Sequence, residues 1–398
     1  MVSGLAPTED VKEVVEGERG TPLPPRKDPD RLYFIDNLRT YIITLVVLHH
    51  LAIVYGAPGA FYYVDPTQID RLAFGVLGIF VAVNQAYFMG LLFLISGYFS
   101  PGSLDRRGTM RFVRDRLIRL GIPLVVFFFV LNPIAVIGAL HALPASLTGV
   151  TTPLSWQDYP RMIGFGPMWF VAMLLIFDIG FAIWRAARRN RMPLQESSNE
   201  PPRYRAIAAF ILVLALTSYL IRIVIPINRF VAGFPSISYL PQYLSFFIIG
   251  IVAVRHNWFR NIPKSMGRVG FVLVLVATIT LFPLALSGGI TNIAGFGSWQ
   301  SAVYALWDST VAVGMSLGLI TLFGDRFNWP GRFSRFLQRH SYTVYVIQAP
   351  IIVFVAVALM GLSFEHLLKF GLAAIITVPL CFAAAYLVLK IPFASRVL

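Results

Sequence analysis

Long apolar runs separated by short polar segments dominate this chain. Ten of them, at about 38–57, 72–99, 117–140, 166–184, 206–227, 235–254, 269–288, 299–323, 342–361 and 368–389, are long enough to cross a bilayer, which takes about 20 predominantly apolar residues per helix. The pattern predicts an all-α polytopic membrane bundle of about ten transmembrane helices. The second run would extend about 42 Å as a helix, so it must tilt, kink or begin at the interface. No inverted repeat of the transporter type is visible.

The connecting segments give an orientation. With the N-terminus in the cytoplasm, 28 of the 33 lysines and arginines fall in inner segments, leaving only Arg71, Arg161, Arg222, Arg229 and Lys369 outside. The alternation holds through all ten spans, which predicts that both termini are cytoplasmic. Residues 1–30 are polar and proline-rich without an apolar leader core. They read as a disordered cytosolic tail and not a cleaved sequence. Residues 31–392 form the integral-membrane domain, with a flexible inner loop at about 186–205. The outer segment at about 141–165 is too short to fold alone.

Composition narrows the class. Of 398 residues, 57% are hydrophobic and 13% charged, and mean hydropathy is +0.71. Soluble domains carry about 25% charged residues, so a soluble enzyme is excluded, as is a disordered chain. The net charge of +14 would suggest nucleic acid on a soluble chain. Here its segregation makes it an orientation signal, and no nucleic-acid partner is expected. Cys381 is the single cysteine, which excludes a disulfide framework and a cysteine-cluster metal site.

Ionisable groups inside a membrane are costly and therefore point to function. The spans hold His49 and His50 in the first, Asp178 in the fourth, Arg222 in the fifth and Asp308 in the eighth. Uncharged polar additions are Asn84, Gln85 and Gln348. In the first span, Arg39 and His50 are eleven residues apart, three turns plus about 20°, so they share a face about 16 Å apart along the axis. A cation at the inner mouth can hold a phosphorylated carrier. An imidazole about 16 Å deeper then meets whatever the carrier's arm delivers, and the pantetheine arm of coenzyme A has about that reach. Neutral histidine can act as a general base. The adjacent histidines point about 100° apart and lack the i, i+4 spacing of a metal pair, so no metal site is read.

The stretch Phe34-Ile35-Asp36-Asn37-Leu38-Arg39, then ten residues and His50, resembles the first-helix signature of the transmembrane acyltransferase 3 family. Other motifs follow in the family's order: Phe93-Leu94-Ile95-Ser96-Gly97-Tyr98-Phe99, then Arg111-Phe112 through Arg116-Leu117-Ile118-Arg119-Leu120 and Pro123. Met168-Trp169-Phe170 and Ser341-Tyr342-Thr343-Val344-Tyr345 complete the series. The resemblance spans roughly residues 31–390 and is closest in pattern to the glucan succinyltransferase branch. It implies acyl transfer from cytoplasmic acyl-CoA, such as acetyl-CoA, to a hydroxyl on the far side, commonly of a carbohydrate. It makes His50, not His49, the base, with Asp36 as a candidate orienting carboxylate. It assigns Arg39, Arg116, Arg119 and Ser96 to the donor. Trp169, Asp178, Asp308, Tyr345 and Gln348 are candidates for the acceptor side or for support of the base.

Two departures stand out. Trp169 leads into Phe-Val-Ala-Met-Leu-Leu where many members carry a glutamate, and Gln348 stands where many carry a second histidine. Apart from acyl-CoA as co-substrate, no tightly bound cofactor is expected. The expected partners are the lipid bilayer, acyl-CoA and the hydroxyl-bearing acceptor, and the expected location is the bacterial inner membrane. The alternative of another class is a secondary transporter or flippase that exports a glycan or small molecule unmodified.

Overall fold

A computed structural model describes residues 32–142, 155–188, 199–227, 229–235, 237–329 and 331–398. Among them no strand forms, and ten helices are long and apolar enough to cross a membrane. They are α1 (Tyr33–Val54), α2 (Arg71–Arg107), α3 (Thr109–Ala142), α4 (Trp156–Ala187) and α5 (Tyr204–Val224). α6 (Ile237–Arg255), α7 (Lys264–Leu286), α8 (Trp299–Arg326), α9 (Arg332–Ala358) and α10 (His366–Val388) complete the set. All ten hydropathy runs become helices because hydrocarbon offers the backbone no partner but itself.

Their ends differ from the apolar runs where polar residues continue the helix. α1 begins at Tyr33, so Asp36 and Arg39 belong to its first two turns. α2 extends to Arg107 and is 37 residues long, with Asp70 capping its start by accepting from the Ala73 N–H at 2.7 Å. Gly108, at φ +77°, breaks the chain before α3. The arginine-rich segment read as a connecting loop is therefore mostly helical. Of the inner loop near 186–205, residues 189–198 lie outside the described residues, as does the whole tail 1–30. The last part of that loop is docked: the Glu200 carbonyl accepts from Trp258 Nε1 at 3.1 Å, and Asn261 donates to Asn199.

α1 stands near the centre, packed against α2, α8, α9 and α10. Two thirds of the apolar window of α1, α2, α8 and α9 is buried, against 17–28% for α3, α5, α7 and α10. The outer helices thus present broad apolar faces to lipid. With lipid as apolar as leucine, helices associate by close packing and interhelical hydrogen bonds, not by exclusion of water. α2 and α6 cross almost backbone to backbone at Gly97 and Gly250. A Cβ on Gly97 would lie 2.1 Å from the Phe247 carbonyl oxygen, and one on Gly250 2.2 Å from that of Leu94. Gly97 of the Ser-Gly-Tyr motif is therefore a packing residue. Tyr98 beside it stacks on Phe259 with centroids 4.1 Å apart.

Candidate active site

His50 lies about four fifths of the way along α1 and is held from three sides. Gln348 of α9 is fully buried and brings Oε1 to 3.4 Å from His50 Nδ1. Phe61, on the segment between α1 and α2, stacks on the imidazole at 4.8 Å and 25°. His49 meets it edge-on at 5.8 Å. Because an amide oxygen only accepts, this pairing makes Nδ1 the N–H donor and leaves the lone pair on Nε2. His49 itself is buried against Phe88 at 4.9 Å, and among the described residues its Nδ1 has no hydrogen-bond partner.

The segment that carries Phe61 is anchored at several points. Tyr62 Oη donates to Asn132 Oδ1, and Asn132 donates to the Met162 carbonyl at 2.6 Å. The Asp65 N–H closes onto the Val54 carbonyl. Asp65 forms a buried ion pair with Lys369 of α10 at 2.8 Å. Thr67 and Asp70 contact His366 at 3.0 and 3.4 Å. Burial pushes the Asp65 carboxyl up, but the Lys369 ammonium and two hydrogen bonds from Thr67 outweigh it, and its pKa lies below the usual carboxylate value.

A second cluster lies at the arginine-rich end of the bundle. Arg39 sits over the Phe99 ring at 5.0 Å, with Asp36 3.9 Å away. Arg116 of α3 is near enough to repel it. Arg116 Nε lies 3.0 Å from Asp178 Oδ2, a charge contact rather than an aligned hydrogen bond. Ser100, fully buried, has its Oγ within reach of two acceptors for its one proton, Asp178 Oδ1 at 2.7 Å and the Ser96 carbonyl at 2.9 Å. Arg39, Arg116, Ser96 and Asp178 are thereby brought together from four helices. Asp178 lies against Arg116 and Asp36 beside Arg39, so each guanidinium has a carboxylate neighbour, and the Arg39–Asp36 pair is the looser and more exposed of the two.

Other candidates fall elsewhere. Asp36 is about 21 Å from His50 along the helix, out of reach of the imidazole, and Asp178 faces Arg116 instead of either histidine. The group behind His50 is thus an amide and not the expected carboxylate. Arg119 is exposed, and its carbonyl accepts from Tyr342 Oη at 2.9 Å; among the described residues its side chain makes no ion pair with the cluster. The physical reason is a π-helical turn at Leu117–Gly121. The wider turn swings residues three apart off the face they would share in an α-helix. Tyr345 donates to the Pro167 carbonyl and Trp169 packs 5.4 Å from Tyr243, so both fix the start of the continuous helix in α4. Asp308 pairs at 2.5 Å with Arg222, both buried, under the rings of Tyr239 and Tyr304. Gln85 reaches Tyr243 across helices at 3.5 Å, whereas Asn84 accepts from Tyr87 of its own helix. Among the described residues, no group of three or more His, Cys, Asp or Glu could hold a metal.

Sequence reasoning missed Ser100, Phe61 and the Asp65–Lys369 pair. Ser100 carried a signal, one turn beyond Ser96 on the same face. The other two rest on contacts between distant segments.

The acyltransferase 3 family model, described as an acyltransferase domain, matches residues 32–386. The chain belongs to this family. Its Arg39 and His50 therefore lie inside an acyltransferase 3 domain, which supports an O-acyltransferase over an unmodifying exporter. The chain is also similar to glucans biosynthesis protein C of Shigella dysenteriae serotype 1 (strain Sd197). The two are 22% identical over 344 residues, covering 81% of this chain and 83% of that protein. No solved structure matches the chain.

Proposed function

We propose that this membrane O-acyltransferase moves a short acyl group, such as acetyl, from acyl-CoA on the cytoplasmic side to a carbohydrate hydroxyl on the other side. The observation that carries the reading is the placement of His50 between two clusters. Arg39 stands about 16 Å below it along α1 on the arginine-rich side, with Arg116 near Arg39, and the Phe61 segment lies above it. The positive-inside rule puts the arginine-rich end in the cytoplasm, in keeping with a bacterial inner membrane. Guanidinium groups grip phosphates through paired N–H donors. Arg39, with Arg116 beside it, holds the donor's phosphates while the thioester arm runs up the face of α1.

His50 Nε2 takes the proton from the acceptor hydroxyl as its oxygen attacks the thioester carbonyl. The carbon–sulfur bond then breaks, and the imidazolium returns the proton to the departing thiolate. Gln348 holds the ring so that Nε2 keeps its lone pair. The distant similarity to a glucans biosynthesis protein favours a glucan-like acceptor.

The test is acyl transfer in membranes carrying the full chain, supplied with acetyl- or succinyl-CoA and followed by mass spectrometry of the surface glycans. The expected product is heavier by one acyl group. His50→Ala lowers its rate by about 10²–10⁴, the usual contribution of general base catalysis, while His49→Ala has a milder effect. Equal activity of the His50 variant, at equal expression, overturns the mechanism. Export of unmodified glycan alone would restore the transporter reading.

A further inference from the structure

Away from this path, a cavity of about 520 Å³ opens between the arginine-rich ends of α9 and α10. Arg332, Arg335, Arg339 and Lys390 line it, together with His340 and Tyr386. The three arginines follow the i, i+3, i+7 spacing that places side chains on one stripe of a helix, and all three are exposed. Among the described residues no carboxylate pairs with any of the four cations. Lys390 lies over the Tyr386 ring at 4.5 Å, and the buried His340 donates from Nδ1 to the Phe336 carbonyl at 2.5 Å. Four positive charges thus converge on a concave site with nothing on the described protein to balance them.

The stripe does not belong to the donor path. Arg332, Arg335 and Arg339 lie roughly 160–220° around α9 from Gln348, the residue that faces His50. The cavity is lined by apolar as well as charged side chains: Phe336, Tyr386 and Leu389 stand among the cations. Phe333, next to Arg332 in the chain, is 73% exposed, in keeping with a bilayer interface where aromatic residues gather. A free soluble anion would use the charges and ignore this greasy rim. A phospholipid uses both, its phosphate among the cations and its acyl chains along the apolar exterior.

We propose that this groove is a binding site for the headgroup of an anionic phospholipid of the inner leaflet. Basic pockets between transmembrane helices on the cytoplasmic side are suited to such headgroups. The arginines are the main phosphate donors, since each presents a planar fork, and Lys390, two residues beyond the end of α10, closes the site.

The test is native mass spectrometry of the purified full chain titrated with phosphatidylglycerol or phosphatidylcholine. Phosphatidylglycerol should bind at least tenfold tighter, as a single high-affinity adduct. Arg335→Gln/Arg339→Gln should abolish that preference, and Lys390→Gln should weaken it severalfold. The charge-matched control Arg203→Gln/Arg205→Gln, on an exposed inner segment, should keep it. Equal loss in both double variants would mean general surface charge and overturn the site. Equal binding of the two lipids would do the same. Displacement of phosphatidylglycerol by millimolar coenzyme A or inorganic phosphate would make it a soluble-anion site and equally overturn the proposal.

Discussion

Gln348 presents its amide oxygen to His50 Nδ1 at 3.4 Å, from a helix 298 residues further along the chain. An amide in this position orients the ring and selects the tautomer, but it cannot share the charge that forms when the imidazole takes a proton. Replacing Gln348 by leucine should therefore remove about one hydrogen bond's worth of stabilisation, roughly 1 kcal/mol. That corresponds to about a fivefold fall in kcat, with the donor KM unchanged. Steady-state kinetics over a range of acyl-CoA concentrations separates the two parameters.

Arg116 and Arg39 should divide under mutation. Arg39→Ala raises the donor KM and leaves a folded protein, since its nearest carboxylate, Asp36, is partly exposed. Arg116→Ala abandons the fully buried Asp178 and should cost about 3 kcal/mol of stability, the range for breaking a buried pair from one side. Arg116→Met combined with Asp178→Leu should recover most of the stability and none of the donor affinity. Thermal unfolding in detergent, run beside donor titrations, tests both statements.

Phe61 covers the imidazole with its ring. Truncating it to alanine opens that face of His50 to water, and water is a competing acyl acceptor when a site is not closed. Phe61→Ala should raise hydrolysis of acyl-CoA relative to transfer. The ratio of free acid to acylated glycan measures this directly. An unchanged ratio would confine Phe61 to packing.

The Asp65–Lys369 pair gives a pH signature. The Asp65 carboxyl is depressed in the folded protein, below an unfolded value of about 3.9. Its stabilisation is therefore complete above that value and is lost as pH falls through the lower folded pKa. Asp65→Asn leaves a buried ammonium unpaired and should destabilise the protein by about 3 kcal/mol at neutral pH. The gap between variant and parent should begin to narrow below about pH 4 and keep closing as pH falls through the lower folded pKa, where the parent loses its own carboxylate. Melting curves from pH 3 to 7 check the sign and the window.

The ten spans could be read from the chain because hydropathy is local: any 20-residue apolar stretch in a bilayer has the same backbone problem and the same solution. The facing of Arg39 and His50 was readable for the same reason, since both belong to one helix. Contacts between helices were not. Asp178 could as well have turned to a histidine as to Arg116, and only the packing of α4 against α2 and α3 decides it. Arg119 left the cluster through a π-turn that no side-chain pattern announces. Gln348 stood out in the sequence as a departure, but its role became plain only when α9 was seen beside α1.

The Asp65–Lys369 pair also has a temporal meaning. Lys369 lies on the last span, 304 residues after its partner. During synthesis the segment over His50 has no cation to hold it until nearly the whole chain has entered the membrane. A polypeptide released before α10 would keep the Tyr62–Asn132 and Asp65–Val54 contacts of that segment but leave the Asp65 carboxylate without its cation. The final helix therefore closes a contact that none of the earlier spans supplies.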